Sequence, residues 1–136
     1  MADLSITAGN VVPDDGYSFV DGIAGETVTA GVGVYLKASD TRYWKAHCET
    51  SSATAVLAGI ALNGAAAGQP VRIQTGGTIT IGATVGVGTV YLLSTAGLFM
   101  PHGDIATSDY ISPLGVATTA AKIKLGILVS GVQKAA

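Results

Sequence analysis

The sequence predicts an all-β fold: a small antiparallel β-barrel or sandwich built from two similar β-modules in a pseudo-twofold relation, behind an N-terminal arm. Three observations predict it. Glycine fills 19 of 136 positions, roughly double its usual share, and each interior Gly costs a helix about 1 kcal/mol relative to Ala. Apolar, mostly β-branched residues alternate with polar ones at period two, with Gly interrupting the runs. The chain also repeats itself.

In chain order, residues 1–27 read as an arm or an edge segment. They carry Asp3, Asp14, Asp15, Asp21 and Glu26 and no Lys or Arg. Pro13 pushes the residue before it toward extended backbone, and Asp14-Asp15-Gly16 is a turn signal. Val32, Val34 and Leu36 share one strand face. The Gly-free window 34–58 is rich in Tyr, Trp, Thr and Ser, and only 49–57 suits a short helical turn. Val71 and Ile73 alternate with Arg72 and Gln74, and Ile79 and Ile81 with Thr78 and Thr80. Ile123, Leu125, Ile127 and Val129 share a last face.

The repeat gives the modules. AGVGVYL (30–36) returns as VGVGTVYL (85–92), with Thr89 read as an insertion. At an offset of 56, Val34-Tyr35-Leu36 then matches Val90-Tyr91-Leu92, Gly59 matches Gly115, and Val71 and Ile73 match Ile127 and Val129. Residues 28–136 form one β domain with modules of about 28–77 and 81–132. Two copies are too few for a solenoid, whereas two modules closing on each other hide their sheet edges. The predicted core is Val34, Leu36, Ile60, Val71, Ile73, Ile79, Ile81, Val90, Leu92, Val116, Ile123, Leu125, Ile127 and Val129. Replacing Ile73 or Ile127 by Ala is expected to cost about 2–5 kcal/mol.

Composition bounds the function. Hydrophobic residues make up 49% of the chain, which excludes disorder as a global description. Charged residues are only 12%, about half the usual share. Seven basic and nine acidic residues give a net charge of −2, which argues against a nucleic-acid binder. Residues 50–103 hold one charged side chain, Arg72, and the last fifteen residues hold Lys122, Lys124 and Lys134 without an acid. So little charge implies that part of the surface is covered by protein, and a homo-oligomer is expected, a trimer before a dimer. The most apolar run, 53–68, is too short and too rich in Ala and Gly for a membrane span. The N-terminus shows no secretion signal, and the single Cys48 fits a reducing compartment.

No catalytic or cofactor motif emerges. On a strand, His47 and Glu49 point one way and Cys48 the other, so they make no Cys–His pair. His102 and Asp104 flank Gly103 but lack partner ligands for a metal. The GVG strings at 31–33 and 86–88 precede strands rather than a helix and lack a third Gly, so they read as turns. Neither an enzyme nor a cofactor is expected. Candidate contact residues are the acids Asp14 and Asp15, the aromatics Tyr17 and Phe19, and Tyr35 and Tyr91, which sit on the strand side opposite Val34 and Val90. The alternative for the two strand tyrosines is a second packed layer.

The order of blocks carries a resemblance. ITAGNVVP (6–13) is followed by GIAGETVTAGVGVYLKASD (22–40) and AGIALNGAAAGQPVRIQTGG (58–77), then by TITIGATVGVGTVYLLSTAGLFMP (78–101) and SDYISPLGVATTAAKIKLGILVSGV (108–132). Over nearly the whole chain this resembles the small decoration, or cement, proteins of tailed-bacteriophage heads. The resemblance implies a compact β protein, often trimeric, made in the host bacterial cytoplasm. It would bind the outside of the capsid and hold neighbouring major capsid protein subunits together. A tail or fibre component that binds the host surface or a glycan is the alternative. On the cement reading, residues 2–21 form an arm that orders on the capsid, and removing 2–16 would leave thermal stability nearly unchanged. The alternative to the arm is that these residues form an edge strand of the same domain.

Overall fold

The computed structural model describes residues 3–14, 16–49 and 51–135. Among these there is no α-helix, only the single 3-10 turns Ala8–Asn10 and His102–Asp104. Within the window 49–57, residues 52–55 form turns rather than a helix. Eleven strands follow one another: β1 (Val11–Pro13), β2 (Ser18–Ile23), β3 (Gly33–Lys37), β4 (Arg42–Lys45), β5 (Gly59–Ala61), β6 (Pro70–Gly76), β7 (Thr78–Ile81), β8 (Val90–Leu93), β9 (Phe99–Pro101), β10 (Pro113–Ala117) and β11 (Lys122–Leu125). They form two antiparallel sheets, ordered β2-β6-β5-β3-β4 and β1-β7-β11-β10-β8-β9. The fold is an all-β sandwich, and neither sheet closes into a barrel.

The duplication is real, and hydrogen bonding corrects its register. Strands β7-β11-β10-β8-β9 repeat the order β2-β6-β5-β3-β4, with β1 added at the edge. A Cβ on Gly59 would meet Gln74 O at 2.3 Å, and one on Gly115 would meet Lys124 O at 2.1 Å. The offset of 56 between Gly59 and Gly115 therefore holds. Val34 pairs with Gly59, however, while Tyr91 pairs with Gly115. The counterpart of Val34 is thus Tyr91, not Val90, and that of Tyr35 is Leu92. The turns agree: Val32 N donates to Thr29 O and Thr89 N to Gly86 O, with Gly31 and Gly88 both at positive φ. Ile60 pairs with Gln74 and Val116 with Lys124, so the counterpart of Ile73 is Ile123 rather than Val129. Sparse Gly and Val identities tolerate such slips, because a short strand looks alike when moved by one or two residues.

The modules meet through unlike faces. In the five-stranded sheet, Val34, Ala61, Val71 and Ile73 line one side and form a small core with Ala24, Val28 and Ala65. Ile60 and Leu57 belong instead to the large core with Ile79, Ile81, Tyr91, Leu93, Phe99, Ala117 and Ile123. A Cβ on Gly33 would strike the Phe99 ring at 2.7 Å. The side of the first sheet that carries Gly33 and Ile60 therefore packs on the side of the second that carries Tyr91 and Ile123. A twofold would bring like sides together, so the relation is head-to-tail rather than pseudo-twofold.

Most of the predicted core is buried, including Ile60, Ile73, Ile79, Ile81 and Ile123 at 0% exposure. Leu36, Val116 and Val129 are exposed, and Val90 and Ile127 are partly buried. Leu36 lies beyond the two residues of β3 that pair with β5. Val116 points outward between the inward Gly115 and Ala117. β11 ends at Leu125, so Ile127 and Val129 belong to the segment that runs beside residues 108–113.

Residues 4–13 are no free arm. Leu4 N donates to Phe99 O, Thr7 N to Gly82 O, and β1 pairs with β7. Val11 is buried, with Leu4 and Ile6 packed against the same core. In the first module Tyr43 O, the counterpart of Phe99 O, is taken by Gly25 N of the same module. The N-terminal segment fills that place in the second. β1 is an edge strand of the domain itself. Deleting residues 2–13 is expected to lower stability by about 2–3 kcal/mol, the scale of one to two buried aliphatic side chains. Chemical denaturation checks this, and an unshifted midpoint would contradict it.

Candidate functional site

Two of the six candidate contact residues, Tyr17 and Phe19, meet at one place, the outer edge formed by β2 and β6. β2 pairs on one side with β6, with Phe19 opposite Gln74, Asp21 opposite Arg72 and Ile23 opposite Pro70. A register shift between Ser18 and Phe19 kinks its start, a common device at sheet edges. Nearly all of β2 is exposed, including Phe19 (43%), Val20 (39%) and Ile23 (38%).

Here the side chains hold one another. The rings of Tyr17 and Phe19 lie 5.5 Å apart at a 36° tilt. The Arg72 guanidinium sits 4.0 Å from the Phe19 ring centroid, within cation–π range. The same guanidinium donates to both carboxylate oxygens of Asp21, at 2.8 and 3.2 Å. These bonds hold the Asp21 carboxyl below the ordinary carboxylate range and raise Arg72 further. Behind them, Asn63 Oδ1 accepts the Arg72 backbone N–H at 2.8 Å, and its Nδ2 donates to Pro70 O. A solvent-facing aromatic, cation and carboxylate are thus fixed in place before any partner arrives.

The other contact candidates are elsewhere. Asp14 forms an ion pair with Lys122 of its own chain at 3.1 Å, and Glu26 accepts the Lys45 backbone N–H. Asp14, Asp21 and Glu26 thus have partners within the chain itself. Asp15 lies outside the described residues. Tyr35 is partly buried against the large core, opposite Trp44. Tyr91 is buried and its hydroxyl accepts the Gly86 N–H at 2.9 Å, so it packs the interior and is removed from the contact set. Arg72, Asn63 and Val20 also belong to this edge, and no sequence motif marks them. The lone charge in the stretch 50–103 was the signal for Arg72, because a single Arg on a strand beside an acidic strand invites pairing.

His47 and Cys48 are engaged within the fold. His47 Nδ1 accepts the Ala96 N–H at 3.0 Å. Cys48 is buried, and burial, reinforced by the negative charge of Asp109, pushes its thiol up to about 12. The thiolate is the nucleophile, so native Cys48 is expected to resist iodoacetamide at mildly alkaline pH and to react once guanidinium unfolds the chain. Fast labelling of the native protein would contradict this. Because the folded state holds this proton more tightly, the thiol's contribution is intact below its ordinary 9.0 and is lost as pH rises toward about 12. Among the described residues, no three His, Cys, Asp or Glu side chains come together in a way that would hold a metal ion.

No model of a known protein family matches the chain, and no curated protein does.

Proposed function

We propose that the chain is a structural virion protein that binds the outer surface of a tailed-bacteriophage capsid and bridges neighbouring major capsid protein subunits, acting as a homo-oligomer, a trimer before a dimer. The observation that carries this reading is the β2 edge. A register shift blunts the start of β2, yet the strand still presents Phe19, Val20 and Ile23 to solvent. Aromatic and Arg side chains are those that anchor interfaces, and prior fixing of Phe19 by Tyr17 and Arg72 lowers the entropy lost on docking. The block order shared with cement proteins supports the same reading, as does a chain with 12% charged residues. Many copies on a closed shell add avidity to modest single contacts.

The test is co-sedimentation with shells assembled from the major capsid protein of the same virus. The wild-type protein is expected to bind. The double variant Phe19→Ala, Arg72→Ala is expected to bind about tenfold more weakly, a loss of about 1.4 kcal/mol, with its melting temperature close to wild type because both side chains face solvent. A wild-type protein that leaves the shells bare would overturn the proposal.

A further inference from the structure

The head-to-tail relation of the modules leaves one surface without its counterpart's cover. Gly33, Ile60 and Gln74 share the side of the first sheet that the second module covers, and Ile60 and Gln74 are fully buried there. Their counterparts by register are Val90, Val116 and Lys124, which lie side by side across β8, β10 and β11. Farther along the same side Leu92 and Met100 are buried. The rest forms an open, mostly apolar groove lined by Val90, Pro113, Val116, Lys124, Leu125 and Gly126. Val116 is 41% exposed, where Ile60 is 0% exposed. A strand face that meets only water carries polar residues at such positions. Here the face keeps valines, as a covered face does.

Building on the capsid reading, we infer that this outer face of the six-stranded sheet is a second docking surface, and that its occupant is an apolar segment of the shell bearing a carboxylate. Two observations choose the occupant. Lys124 has no ion-pair partner among the described residues, while its neighbour Lys122 is paired with Asp14. Covering the groove removes that ammonium from water, which needs an acid in return. A second copy offers no equivalent of the surface that covers Gly33 and Ile60. In one sheet that side is sealed in the small core around Val34 and Ile73, and in the other it is occupied by the first module. The groove gives each chain a contact surface in addition to the β2 edge.

Two variants test this on the full chain. Val116→Asp places a charge in the groove. Lys124→Gln installs the side chain already present at the equivalent position 74, which the sheet accommodates. Both are measured by co-sedimentation with the same shells and by light scattering of the free protein. Val116→Asp is expected to weaken shell binding at least about tenfold and Lys124→Gln several-fold, with free-protein mass and melting temperature unchanged. Shell binding equal to wild type in both variants overturns the inference while leaving the capsid reading intact. So does a change in free-protein mass with unchanged shell binding, which assigns the groove to a second copy. If the wild-type protein itself does not bind shells, the capsid reading fails and this assignment fails with it.

Discussion

Gly115→Ala is expected to cost about 3–5 kcal/mol, placing it in the tail of point mutations with large effects. The new Cβ would lie 2.1 Å from Lys124 O and 3.0 Å from Leu125 Cα. Both are backbone atoms of the neighbouring strand, so no side chain can rotate away. The strands β10 and β11 must separate, with loss of the Gly115–Leu125 pairing that holds the middle of the six-stranded sheet. Gly59→Ala is expected to act in the same way, through Gln74 O at 2.3 Å. With typical domain stabilities of about 5–15 kcal/mol, either change brings the protein close to unfolding. Gly126→Ala and Gly103→Ala, where a Cβ would meet nothing within 4 Å, are the controls and should stay within about 0.5 kcal/mol. Denaturant midpoints decide the matter, and a cost below about 1 kcal/mol at Gly115 would mean that the close approach of the two strands is wrong.

Phe99→Ala is expected to cost about 3–5 kcal/mol. Its ring is fully buried and fills the space above Gly33, where the two modules meet. Its carbonyl accepts Leu4 N–H, so the cavity also loosens the N-terminal segment. Ile73→Ala, in the small core, stays in the range of about 2–5 kcal/mol, whereas the half-buried Ile127 should lose only about 1 kcal/mol on truncation to Ala. Thermal melts of the three variants should rank Phe99 first and Ile127 last. An Ile127 effect as large as that of Ile73 would contradict the ending of β11 at Leu125.

Period-two alternation was enough to read β6, β7 and β11, because Val71, Ile73, Ile79, Ile81, Ile123 and Leu125 all point inward. The Gly59 and Gly115 match was legible because only Gly tolerates a carbonyl at that distance. The faces of β3 and β10 were not legible. Val34 and Leu36 alternate correctly, yet Leu36 lies where no second layer reaches, and Val116 faces solvent between two small inward residues. Alternation tells which residues share a side but not which side another module covers. That choice depends on how the modules stack, and the head-to-tail stacking makes equivalent residues, Ile60 and Val116, differ in burial. At the β2 edge, Tyr17 and Phe19 were legible as an aromatic pair two residues apart, but the roles of Asp14 and Asp21 were not, since their partners Lys122 and Arg72 are brought close only by the strand order.

On the proposed function, this β sandwich sits on the outside of a capsid through the β2 edge and the outer face of its six-stranded sheet. A cryo-EM reconstruction of the intact virion tests it most directly. Density of this fold is expected on the exterior of the shell at positions between capsid subunits, with Phe19 and Val116 turned toward the shell. Density of this fold on the tail or a fibre, or on a shell with Phe19 and Val116 both facing outward to solvent, would contradict it.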